Sequence, residues 1–117
     1  MTAALMACKQ PVPINPADFA GCYYHQRLPH VRITATSFEV PKLGYVDKDV
    51  TFERIKSRNL IWLSSPYGIK DEFDSTGFAN LGSYTKAEGL NYELTASGLY
   101  MVGFPSGRLV FFGKGKC

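Results

Sequence analysis

A chain of 117 residues is the size of one domain, with room for a single modest core. At 45% hydrophobic and 20% charged it has the composition of a globular protein, which excludes a chain that is disordered throughout. Thirteen basic and ten acidic residues are mixed along the sequence, so the net charge of +3 argues against a nucleic-acid partner, whose binders gather their bases on one face. Aromatic residues at 14%, with eleven Gly and seven Pro, favour strands and turns over helices.

At the start of the chain, Leu5-Met6-Ala7-Cys8 resembles the lipobox of bacterial lipoproteins, in which a small residue precedes the cysteine that receives lipid. The resemblance implies an export signal remnant, lipidation at Cys8, and a membrane association made only through that anchor. Lys9 stands where an aspartate marks inner-membrane retention, so the implied location is the outer membrane of the cell envelope, facing periplasm or surface. The proline-spaced run Lys9 to Pro16 cannot form helix and suits a tether, so residues 1–16 are assigned to remnant and tether and 17–117 to one β domain. The basic leader and longer apolar run of family members do not precede this box. With Met1 as the true start, the chain is instead a cytosolic or virus-encoded module.

Three cysteines are an odd count for an exported protein. With Cys8 lipidated, Cys22 and Cys117 remain as an even pair in the first core strand and at the last residue. A sheet that curls until its first and last strands meet would allow a disulfide between them. The alternative is three free thiols in a reducing compartment.

Asn15-Pro16-Ala17-Asp18 reads as a capped single turn of helix, with proline at its first position. Gly21-Cys22-Tyr23-Tyr24 then opens a strand. A glycine-x-aromatic opening after a short helical turn is similar to the first strand of lipocalins and related small β-barrels, although those have tryptophan where Tyr23 stands. That likeness implies a barrel-like architecture. Val31, Ile33 and Ala35 alternate, and the phase then flips to Phe38 and Val40, which requires a tight turn or bulge near Thr36-Ser37. Pro41 ends that strand, Leu43 to Val46 is a brief apolar piece, and Asp47-Lys48-Asp49 reads as a turn. Val50 and Phe52 resume alternation into Ile55, and Asn59 marks a further turn.

Leu60 to Leu63 is apolar throughout, as in a strand covered on both faces, with Trp62 a core anchor or a stacking residue. The stretch from Ser64 to Tyr84 is the least regular, with a turn at Ser65 to Gly68 and an acidic loop from Asp71 to Gly77. If a barrel mouth carries a recognition loop it belongs here, with Trp62, Tyr67, Phe73, Phe78 and Tyr84 as its candidate binding residues. Beyond it, Leu90 to Leu94, Leu99 to Phe104 and Leu109 to Phe112 are three strands joined by Ala96-Ser97-Gly98 and Pro105-Ser106-Gly107. Loops this short make them an antiparallel meander.

Chemical signatures are sparse. Phe73-Asp74-Ser75-Thr76-Gly77 has one residue too many for an aspartic-protease fingerprint and no second copy for the dyad. Asp71, Glu72 and Asp74 lack the spacing of a calcium loop. Cys22, His25 and His30 would need a bulge to converge and a fourth ligand to bind zinc. There is no G-x-S-x-G elbow and no phosphate-binding glycine loop. The expectation is therefore an all-β domain: a single antiparallel meander of about seven to nine short strands, curled or closed as a small up-and-down barrel.

Without catalytic residues, metal or cofactor, its expected role is binding a protein of the same compartment. The alternatives are a lipocalin-like carrier of a small apolar ligand, with a void lined by Tyr92, Met101 and Phe111, and a cytosolic or viral interaction module.

Overall fold

The computed structural model describes residues 12–72, 75–82 and 90–117, and its regular elements there are β-strands and two single turns of 3-10 helix. In chain order the strands are β1 (Val12–Pro13), β2 (Gly21–Tyr24), β3 (Val31–Ile33), β4 (Phe38–Val40), β5 (Tyr45–Asp47) and β6 (Thr51–Ile55). Then follow β7 (Arg58–Trp62), β8 (Tyr67–Glu72), β9 (Ser75–Asn80), β10 (Asn91–Leu94), β11 (Gly98–Pro105) and β12 (Leu109–Gly115). The fold is an antiparallel sheet curled into a half-barrel.

Strand order along the sheet is β1-β6-β7-β10-β11-β12-β2-β3-β4-β5. Two meanders, β2 to β5 and β10 to β12, are joined where the last strand pairs with the first core strand, Gly113↔Tyr24 through Gly115↔Cys22. The β8–β9 hairpin lies off that path. It runs parallel to the end of β11, Gly103↔Ile69 through Pro105↔Asp71, so β11 has β10 beside its first half and β8 beside its second.

Local chemistry accounts for the turns. Asn15 Oδ1 accepts from the Ala17 N–H at 3.1 Å and caps the turn Pro16–Asp18. The phase flip after β3 is a turn in which Thr34 N–H donates to the Ser37 carbonyl at 3.0 Å. Two expected turns lie elsewhere. Asn59 is inside β7, and the chain reverses at Lys56-Ser57, with Lys56 at φ 57°. Tyr67 and Gly68 are in β8. The connection expected at Asp47 to Asp49 does join β5 to β6, with the buried Asp47 accepting from Asp49 N–H. Val12 and Pro13 pair with Arg54 and Glu53, so the proline-spaced segment joins the sheet there; residues 1–11, Cys8 included, lie outside the described residues.

Inward residues alternate along each strand and meet in one core. Tyr23, Val31, Ile33, Phe38, Val40, Ile61, Ile69, Tyr92, Leu94, Leu99, Met101 and Phe112 are at most 2% exposed. Leu60 is also buried, on the face opposite Ile61, as its apolar run predicted. Phe111 departs from expectation: it points away from Tyr92 and Met101, is 40% exposed, and packs against Tyr100 with ring centroids 4.8 Å apart.

Candidate functional site

The region expected to be an irregular loop is a six-residue-by-six-residue hairpin, in register from Tyr67↔Asn80 to Glu72↔Ser75. Its glycines and acids hide a strand pattern because tertiary contacts, more than propensity, set it. At Gly68 a β-carbon would stand 2.1 Å from the Tyr92 hydroxyl, so glycine alone lets β8 lie this close to β10. The Tyr92 hydroxyl uses that gap to donate to the Tyr67 carbonyl at 3.0 Å. Burial, with a smaller contribution from Tyr45, pushes the Tyr92 phenol far above its usual range.

The hairpin contributes two rings to an aromatic column that packs against the core. Tyr45 stacks on Tyr67 at 3.7 Å, Tyr67 on Phe78 at 5.8 Å, Phe78 meets Phe112 at 6.1 Å, and Phe112 meets His25 at 5.3 Å. Tyr67 and Phe78, two of the candidate binding residues, thus come together as a half-buried packing element. Trp62 does not join them. It follows the buried Ile61 in β7 and lies on the other face, between Thr51 and Asn91. Its indole N–H is buried and has no hydrogen-bond partner among the described residues. Phe73 and Tyr84 lie outside the described residues.

Beside this column, Asp47 ties β5 to the chain leaving β7. Its carboxylate accepts from the N–H groups of Asp49 and Ser64, each at 2.9 Å, from Ser64 Oγ at 2.8 Å and from Ser65 N–H at 3.4 Å. Burial alone would raise its pKa; these donors outweigh burial and hold it below the usual carboxylate range. Tyr45 hydrogen-bonds Ser65 next to it, and a shallow cleft of about 400 Å³ runs along these residues. Asp47 acts here as a clasp between two parts of the sheet that share no ladder.

A second cleft, of about 540 Å³, lies between the β2–β3 connection, the β8–β9 hairpin and the start of β12. Its lining includes His25, Arg27, Asp71, Arg108, Leu109 and Phe111. His25 Nδ1 accepts from the N–H groups of Arg27 and Leu28, at 3.1 and 3.3 Å, which fixes the ring to its own loop. Asp71 accepts from Ser106 Oγ at 2.8 Å and Thr76 Oγ1 at 2.9 Å, and these hydroxyls, Ser106 first, hold its pKa below the usual range. Arg27 and Arg108 are exposed and make no ion pair within 4 Å among the described residues. Leu109 is 68% exposed.

Sequence reasoning missed this cleft. Leu109 to Phe112 reads as the last strand of the meander, and nothing local announces that the neighbouring strand ends at Tyr24. The chemistry is that of contact, a cationic and apolar lining with His25 Nδ1 and the Asp71 carboxylate already engaged.

At the seam between first and last core strands, Cys22 and Cys117 are joined by a disulfide, with their Cα atoms 5.1 Å apart. Cys22 is therefore committed to sulfur and not to a metal site with His25 and His30; the His30 ring stacks on Tyr24 at 5.4 Å. Comparison with protein-family models, with curated proteins and with solved structures finds no match.

Proposed function

We propose that this chain is a non-catalytic binding module of the bacterial cell envelope, lipid-anchored at Cys8, that acts on a protein of the same compartment as an inhibitor, exclusion factor or assembly accessory. The observation that carries this reading is the filled interior. Tyr23, Phe38, Tyr92, Met101 and Phe112 occupy the space where a carrier would hold its ligand, and the aromatic column from Tyr45 to Phe112 packs against them. Recognition is then left to the outer surface. The Cys22–Cys117 disulfide supports an oxidising compartment, where such bonds persist.

The test is the intact mass of the protein from its native host, together with a ligand titration. An acylated chain beginning at Cys8, lighter by the two hydrogens of one disulfide, is the expected result. The unmodified mass with three free thiols would replace this reading with the cytosolic one. For the carrier alternative, Trp62 faces away from the core and is a poor reporter. The Met101 methyl resonance reports on the interior directly, and a saturable shift on adding fatty acid would overturn the protein-partner reading.

A further inference from the structure

Two halves of β12 differ in what lies beside them. Lys114 N–H donates to the Ser97 carbonyl at 2.9 Å, and the Arg108 carbonyl accepts from Gly103 N–H at 2.8 Å, so even-numbered residues of this strand turn their polar backbone groups toward β11. Alternation turns those of Gly113, Phe111 and Leu109 the other way, toward β2. Gly113 meets Tyr24 there, but β2 stops at Tyr24 and the chain bends away through His25 to Leu28. Among the described residues, Leu109 and Phe111 have no strand on that side.

This edge lacks the usual protections against pairing. Leu109-Val110-Phe111-Phe112 carries no charge, proline or bulge, and it opens into the 540 Å³ cleft instead of being covered. Among the described residues the cleft lining adds two exposed guanidiniums, Arg27 and Arg108, and one carboxylate, Asp71, which is bonded by Ser106 and Thr76 and also feels the Arg108 charge. The backbone edge would pair with an extended chain, and the net positive charge of the lining would attract acidic side chains on it. A second copy of this protein fits less well, because it would bring its own Arg27 and Arg108 toward those already present.

We infer that Leu109–Phe111 is a strand-addition site that takes an extended segment of a partner protein in which apolar residues alternate with Asp or Glu. The inference rests on the protein-partner reading above and names its surface. The segment's backbone bonds the outward N–H and C=O groups of Leu109 and Phe111; its apolar side chains pack on these residues, and its carboxylates meet Arg27 and Arg108.

The probe is a displayed library of short random peptides, selected against the full chain with its disulfide intact. Expected winners alternate apolar and acidic residues, and on binding they slow hydrogen exchange at the Leu109 and Phe111 amides. In the free protein these two amides exchange fast while Val110 and Phe112 are protected. Arg27→Glu with Arg108→Glu should weaken the selected peptides by about tenfold or more and reduce their salt dependence. Leu109→Pro removes an N–H that β11 does not use, so it should keep the fold and weaken binding by about tenfold.

The inference is overturned if no peptide is selected, if selected peptides protect other amides, or if Leu109→Pro binds as the parent does. It is also overturned if the free protein is a dimer that protects Leu109 and Phe111. A native protein partner seated elsewhere would reject this edge and leave the protein-partner reading standing; a saturable fatty-acid shift at Met101 would reject that reading itself.

Discussion

The two ends of β12 share one strand and one ladder to β11, yet they meet opposite fates. From Gly113 onward the strand is paired to β2, stitched by the Cys22–Cys117 bond, and flanked by Lys114 Nζ donating to the Asp18 carbonyl at 3.2 Å. From Leu109 to Phe112 it has no strand on that same side among the described residues and faces a cleft. The difference arises from four residues. β2 is only Gly21 to Tyr24, and Pro29 with the His25-centred loop turns the chain away before it can cover the rest. An edge is thus created by the shortness of a neighbour, and not by any feature of the strand that bears it.

The largest expected effect comes from opening the closed half. Replacing Cys22 and Cys117 by serine removes a cross-link between positions 95 residues apart. The chain-entropy estimate for a loop of that length puts the loss at about 4 to 5 kcal/mol. Urea unfolding with and without reductant measures it. Hydrogen exchange should show the Gly113 and Gly115 amides losing protection while Leu109 and Phe111 stay as they were. An equal change at both ends would mean the two halves are not distinct.

Asp47 serves a like purpose at one end of the sheet order, where β5 has no further strand partner among the described residues. Asp47→Ala strands the N–H groups of Ser64 and Ser65, and should cost about 1.5 to 3 kcal/mol, the range for bonds to a charged acceptor. The sign of its pH dependence follows from its lowered pKa. Its contribution is complete above the unfolded carboxyl value, near pH 4, and is lost as pH falls through the lower folded value. Thermal melts from pH 6 down to pH 2 should therefore show a decline that Asp47→Ala flattens. At the other extreme, burial raises Tyr23 to about 12, so its share of stability is complete below pH 10 and disappears as pH rises through 12. A seam built on β2 should loosen there first.

Gly68→Ala probes the hairpin that walls the cleft opposite β12. The new methyl would collide with the Tyr92 hydroxyl, and overpacking of this kind costs about 1 to 3 kcal/mol. If urea midpoints fall while the disulfide stays intact, the hairpin and the seam are independent supports. Tyr92→Phe with Gly68→Ala should recover part of the loss, since the clashing oxygen is gone.

Much of this architecture is legible in the sequence because it is local. The cap at Asn15, the phase flip between Val31 and Phe38, and the glycine turns that fold β10, β11 and β12 together each follow from a few adjacent residues. The adjacency of the chain's first and last core strands follows from curling such a sheet. What is illegible is non-local. Gly68 looks like a turn residue until Tyr92 is seen above it. Asp47 looks like a loop acid until Ser64 and Ser65 converge on it from beyond β7. Leu109 to Phe112 reads as a strand, but its open edge is set by the length of β2, and Phe111, expected to line a carrier's void, lies on the outer face. The candidate residues Tyr67 and Phe78 do meet, but their partners Tyr45 and Phe112 come from distant strands that no spacing rule connects.

The smallest expected effect on stability falls on the open half, and it separates an exposed edge from a hidden one. Leu109→Lys places a charge on a side chain that is already 68% exposed and whose backbone has no strand partner on its outer side. Such a surface change should alter the unfolding free energy by no more than about 0.5 kcal/mol. The lysine also removes an apolar side chain that a partner segment would cover, so the selected peptides should bind more weakly. A large loss of stability would mean that Leu109 is packed into the fold and not exposed. Neutral stability with unchanged peptide binding would mean that the segment does not pair at this edge. Only the combination of unchanged unfolding and weakened peptide binding leaves Leu109 to Phe112 as a strand that is stable alone and completed by another chain.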